Sequence, residues 1–338
     1  MRKRNYFLDF WKFIAALGVI MVHVPYGGKL GATLACVGNW GVSFFFLISG
    51  YMCFGDREKV CGKIARRFRR NGIITVISVA VYLLFTYIES RMNHTDVLLK
   101  LKLKKPVTYV RMILLGDFEF FYGSAFWFLV ALLYGYILFY LIARFSLRKL
   151  AYILLPIFLF LRITVETCVS SFGWNWHWSG NALVGAIPMM LAGYVIADQK
   201  DRLMKIPTAV LIILSVLTAV LMFITVNYRV GRYDISQPFK ILCSSLVFIL
   251  GIKKPSWYII KPVAFLGRTI SLYIYITHFM LIVIIANIMQ RTRVYYWQLP
   301  PAVIIASILV SLVIFGVEVL IKRLIRKKTE PAAAGSGQ

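Results

Sequence analysis

Two residues near the start of the chain suggest chemistry by type and spacing. Lys12 and His23 lie in the apolar stretch "LDFWKFIAALGVIMVHV". Eleven residues at 100° each bring a helix about 20° past three full turns, so both share one face, separated by roughly 16 Å along the axis. A histidine, whose ordinary pKa is near neutral, suits taking a proton from a hydroxyl. A lysine at the other end of that face suits holding an anion, and Asp9, three residues earlier, can lie beside it. Taken singly, Lys12 reads equally as a snorkelling lysine and His23 as an interface histidine, since Pro25, Gly27 and Gly28 end the helix just beyond. Independent snorkelling does not require a shared face.

A second cationic group follows in "ARRFRR", where Arg66, Arg67, Arg69 and Arg70 stand within five positions. Guanidinium groups grip phosphates with bidentate geometry, although plain anchoring by basic residues also accounts for such a run. Arg162 and Glu166 are spaced i, i+4 inside another apolar segment. That pair reads as a buried ion pair fixing a bundle or as part of an internal cavity. His278 faces the same choice. The loop "SSFGWNWHWSGN" at 170–181 combines three tryptophans with Asn and His donors, either anchoring at an interface or forming a sugar-binding rim. The long loop 90–125, with the basic "KLKLKK" at 100–105, can face anionic lipid headgroups or an anionic glycan, and Asp117 and Glu119 at its end are candidate acceptor contacts.

These residues need elements that hold them inside a membrane. Hydrophobic residues make up 60% of the 338, charged residues only 15%, and the mean hydropathy is +0.77. The chain therefore reads as an all-α polytopic membrane protein. Its formal charge of +26 lies in short runs between apolar segments, which points to topology and lipid headgroups and excludes nucleic acid as partner. The five cysteines are scattered with no C-x-x-C pair, so neither a disulfide nor a metal site is expected.

With about 20 apolar residues per crossing, spans fall near 7–25, 34–54, 72–89, 126–145, 150–169, 182–198, 207–227, 238–252, 264–289 and 301–321, about ten transmembrane helices. The segments 182–198 and 238–252 are short, and 107–121 is interrupted by charges, reading as an interfacial or re-entrant piece. Ten spans put both termini on one side. That side carries 24 basic residues in its loops and ends against 11 opposite, which places both termini in the cytoplasm. The first span is expected to be retained rather than cleaved as a signal peptide. No repeats or linkers divide the chain, so residues 1–328 are expected to form a single transmembrane domain and 329–338 a disordered tail.

"LDFWKFIAALGVIMVH", "GVSFFFLISGY" at 41–51, "ARRFRR", "FWFL" at 126–129 and "LGRTISLYIYITHF" at 266–279 occur in the order and at about the positions found in the membrane-bound acyltransferase 3 family. The chain resembles that family over nearly its whole length. The resemblance implies a transmembrane O-acyltransferase in a bacterial cytoplasmic (inner) membrane, with both termini cytoplasmic. It would use acyl-CoA, most simply acetyl-CoA, as co-substrate, with no permanently bound cofactor. The acceptor would be a hydroxyl on an extracytoplasmic glycan or glycolipid.

Residue by residue, the resemblance assigns His23 as the catalytic base and Lys12 to the donor. The family's R-x-x-R pattern fits either Arg66 with Arg69 or Arg67 with Arg70. Trp127 falls in the "FWFL" motif, and Tyr273 with His278 matches the late tyrosine and histidine signature. These three, with Arg162 and Glu166, are expected to line the cavity or its acceptor side. A tunnel from the arginines past Lys12 to His23 would carry the pantetheine arm. No SGNH-type domain follows the last span, so acceptor handling is expected to rest on the membrane domain or another protein. A membrane transporter of a small solute such as an amino acid is the competing reading, and a non-catalytic scaffold fits poorly with Lys12 and His23 on one face.

Overall fold

The computed structural model describes residues 4–94, 106, 109–110, 125–228, 233–257, 260–292 and 296–334. Asp117, Glu119 and the 100–105 run lie outside them. Among the described residues there is no strand, and eight helices are long and apolar enough to cross a membrane. The protein is an all-α, multi-pass membrane protein.

The helices in chain order are α1 (Tyr6–His23), α2 (Gly28–Tyr51), α3 (Arg57–Met92), α4 (Ala125–Arg144), α5 (Arg148–Phe172), α6 (Ile187–Asp198), α7 (Lys200–Leu203), α8 (Thr208–Asn227), α9 (Ser236–Lys253), α10 (Lys261–Thr269), α11 (Ser271–Thr292) and α12 (Leu299–Ala334). All ten segments expected to span are helical. The two short ones are α6 with the π-turn before it and α9, which carries Lys240, and neither is among the eight.

Two boundaries differ from the sequence reading. The span expected as one helix over 264–289 is broken at Ile270, where α10 ends and α11 begins. The break lies beside a close packing contact: a Cβ at Gly267 would lie 1.8 Å from the Asp9 carbonyl oxygen, so α10 presses its backbone against the start of α1. The last helix runs on to Ala334, into the segment expected as a tail.

α1 is the hub, packed on α2, α10 and α11. Asn5 fixes where it starts: its side chain accepts from Leu8 N at 2.9 Å and donates to Gly251 O at 2.8 Å, tying the cap to α9. Small residues let α2 approach closely. A Cβ on Gly38 would stand 2.2 Å from the Gly18 carbonyl oxygen, a near-contact of backbones that only glycine permits. Ala15 and Val19 are buried on the α2 side of α1, and Ala16 and Ile20 against Ile270, Ile274 and Val303 on its other side, all between Lys12 and His23.

α3 is 36 residues long, about 54 Å, well beyond a hydrocarbon core of about 30 Å. Its first half carries "ARRFRR" on a helix rather than on a loop. Asn71 donates to Leu129 O at 2.8 Å and Tyr82 to Ile276 O at 2.6 Å, joining α3 to α4 and α11.

Candidate functional site

The shared face of α1 ends in two cavities. The Lys12 cavity encloses about 340 Å³, with Lys12, Arg67, Arg70 and Arg268 as its cations, Asn71 and Ser49 as polar lining, and Phe45, Phe128 and Tyr275 as part of an aromatic wall. Lys12 Nζ donates to Asp9 Oδ1 at 3.2 Å, and Arg4 Nε lies 3.5 Å from the same buried carboxylate. Arg67, Arg70 and Arg268 form no ion pair among the described residues, a setting for polyanionic groups. Arg67 leans on the α2 C-terminus by donating to Met52 O at 2.6 Å.

An adjoining groove of about 410 Å³ is lined by Arg66, Arg69, Arg70, Tyr273 and Glu318. Helix rotation explains the split: Arg67 is turned 100° from Arg66, and Arg70 reaches both spaces. The pair Arg67 and Arg70 is therefore the R-x-x-R register that shares a cavity with Lys12. Tyr273 donates to Glu318, which also holds Lys322, at the groove and away from both cavities lying along α1.

The His23 cavity encloses about 450 Å³. Around it stand Trp127 from α4, Arg162 and Glu166 from α5, Trp176 from the aromatic loop, and Asp234, Gln237 and Lys240 at the start of α9, with Asn39 from α2. Arg162 and Glu166 do not form the closed ion pair that their spacing allows. Arg162, 6% exposed, donates instead to Gly185 O at 2.7 Å and Ser43 Oγ at 2.9 Å, joining α5 to the π-turn and α2. That π-turn, Ala182–Ala186, is capped by Asn181, whose side chain accepts from Leu183 N and Val184 N. Of the loop tryptophans, Trp176 lines the cavity, whereas Trp174 and Trp178 are exposed.

His23 packs its ring 4.3 Å from Phe279 and 5.4 Å from His278, centroid to centroid. His278 is fully buried behind it, with Nδ1 2.7 Å from Tyr275 O and 3.2 Å from Ile274 O. Carbonyl oxygens only accept, so Nδ1 carries the hydrogen and Nε2 is an acceptor, unpartnered among the described residues. His278 thus stands against His23 without lining the cavity.

The expected tunnel is divided. The two cavities share no lining residue: Trp127 faces the one with His23, and its neighbour Phe128 the one with Lys12. Phe128 packs on Tyr275 at 4.8 Å and on Phe45 at 6.1 Å. "FWFL" is therefore the partition between them.

Asp234 and Lys240 were not legible as site residues from motif matching, but a lysine inside an apolar span was signal enough to flag. Asp234 Oδ1 accepts from Ser236 N at 2.9 Å, and Asp234 N donates to Ser171 Oγ at 2.8 Å, fixing the loop to α5. Burial alone would raise the Asp234 carboxyl, yet the Lys240 charge and hydrogen bonds from Ser236 and Ser170 outweigh it and hold the group below its ordinary value.

Against this geometry, no curated protein and no solved structure matches the chain. The acyltransferase 3 family model, described as an acyltransferase domain, matches residues 5–317. That match takes in both ends of α1, the arginines of α3, the partition on α4 and every residue around the two cavities, and the chain belongs to the acyltransferase 3 family.

Proposed function

We propose that the protein transfers an acyl group, most simply acetyl, from cytoplasmic acyl-CoA to a hydroxyl of an extracytoplasmic glycan or glycolipid. The observation that carries the reading is the pair of cavities at the two ends of one helix: a cationic one at Lys12 and one at His23, within an acyltransferase-family membrane protein. In this reading the chain crosses a bacterial cytoplasmic membrane ten times with both termini and the Lys12 side facing the cytoplasm, a topology supported by the excess of basic residues in the loops on that side.

Lys12, Arg67 and Arg70 would hold the phosphates of the donor. Its pantetheine arm would pass the Phe45, Phe128 and Tyr275 partition, which must part to admit it, and bring the thioester to the level of His23. His23 takes the proton from the acceptor hydroxyl as that oxygen attacks the thioester carbon. The carbon–sulfur bond breaks, and the CoA thiolate leaves as the thiol with the proton from His23. Residues 1–328 act as one catalytic membrane domain, with Trp127 and Trp176 offering aromatic faces to a sugar.

The division into two cavities also suits a transporter of a small solute that alternates access about the same partition. Acceptor-dependent CoA release by the purified protein separates the two. Release in the wild type and its loss in His23→Ala supports acyl transfer; solute uptake without CoA consumption supports transport and overturns it.

A further inference from the structure

Lys240 is 5% exposed, faces the His23 cavity, and its Nζ has no hydrogen bond or ion pair among the described residues. A buried ammonium with no carboxylate in direct contact is costly, and within a membrane domain it persists where something else helps to compensate it. Asp234 feels its charge but lies beyond ion-pairing distance, and its carboxylate is already engaged by Ser236. Across the cavity, Arg162 directs its hydrogen bonds to neutral oxygens, and its Nε is buried without a partner. The contrast with the other end of α1 is direct: there Lys12 and Arg4 both close on Asp9.

We propose that the His23 cavity binds an anionic sugar, one bearing a carboxylate or a phosphate, with Lys240 as the residue that pairs with the anionic group. This rests on the acyl-transfer reading, in which the cavity's occupant is the acceptor. A neutral polyol would leave the Lys240 ammonium without a direct ionic partner. A transition-state oxyanion exists only during transfer and does not offset the cost of the burial at rest. Glu166 is half-buried and lines the same space; a carboxylate there accepts from sugar hydroxyls and disfavours an anion at its own end, which sets the ligand's direction. The volume of about 450 Å³ lies within the range of small-molecule pockets and has room for a sugar ring with its charged substituent.

The test is calorimetric titration of the purified full-length protein with glucuronate, glucose 6-phosphate and glucose at matched ionic strength. At least one anionic sugar is expected to bind the wild type about tenfold or more tightly than glucose. The larger of the two gains tells carboxylate from phosphate. Lys240→Gln should bring the anionic sugars to within about twofold of glucose, and Lys240→Arg should keep most of the gap. Equal binding of all three by the wild type, binding of none, or a gap that survives in Lys240→Gln overturns the proposal. If Lys240→Gln does not fold, the wild-type gap and its retention in Lys240→Arg decide. The same sugars in the CoA-release assay separate the two readings. Release with glucose and no anionic preference removes this inference and leaves acyl transfer. A Lys240-dependent anionic preference without CoA release upholds the inference and removes acyl transfer.

Discussion

Replacing Lys12 by methionine keeps the apolar stem and removes the charge. Its effect on donor binding can be worked from the contacts. A charge-assisted hydrogen bond to a phosphate contributes about 1.5–3 kcal/mol. The Lys12 side chain is 28% exposed and already shares its ammonium with Asp9 at 3.2 Å, so solvent and the competing carboxylate place it at the low end. About 1.5 kcal/mol is roughly a tenfold rise in KM for acyl-CoA with kcat little changed. Asp9 retains Arg4 at 3.5 Å, so thermal stability should fall little, and Lys12→Arg should recover most of the affinity. The assay is free-thiol release over a range of acyl-CoA concentrations, repeated with acyl-pantetheine, which lacks the nucleotide. Wild type and Lys12→Met should perform alike with the truncated donor. An equal loss with both donors, or a fall in kcat at unchanged KM, refutes the assignment of Lys12 to the donor's phosphates.

Further outcomes follow from the packing. Gly38→Ala should destabilise the protein by about 1–3 kcal/mol or more, because its Cβ would meet the Gly18 carbonyl oxygen at 2.2 Å; Gly62→Ala, which meets nothing within 4 Å, should stabilise by up to about 1 kcal/mol, both read by thermal unfolding in detergent. Arg162→Met should cost about 1–3 kcal/mol by orphaning the Gly185 carbonyl oxygen and Ser43 hydroxyl, and Arg162→Lys less, in the same melts. Because the folded Asp234 carboxyl is held below its ordinary value, its contribution to stability is present above the ordinary carboxylate pKa of about 4 and is lost as the pH falls through the folded value. Asp234→Asn should therefore flatten the acid side of a plot of thermal midpoint against pH, and an unchanged slope would remove that linkage.

Much of the helical framework was legible because lipid demands long apolar runs, and each of the ten runs is helical. The shared face of Lys12 and His23 followed from helix geometry, and both residues do open into cavities. That those cavities are separate did not follow, because the barrier is tertiary: α2 covers Ala15 and Val19, residues of α11 and α12 cover Ala16 and Ile20, and Phe128 packs against a residue far along the chain, Tyr275. The close contact beside the break at Ile270 was hidden for the same reason, since Gly267 alone does not reveal that Asp9 will press on it. The i, i+4 spacing of Arg162 and Glu166 suggested a pair, but Gly185 and Ser43, distant in sequence, supplied better-placed oxygens. Lys240 was visible as a charge within a span, and only the fold shows that it faces His23 across one cavity with no carboxylate in contact.

Acyl transfer from a donor held at Lys12 to an acceptor held at His23 would place the two substrates on opposite sides of the membrane. Purified protein in sealed, oriented vesicles tests this most directly, with radiolabelled acetyl-CoA trapped on the Lys12 side and acceptor added on the other. Label should appear on the acceptor only in this arrangement, and His23→Ala should lower the rate by about 10²- to 10⁴-fold. Transfer that requires donor and acceptor on the same side, or an unchanged rate in His23→Ala, would contradict this reading.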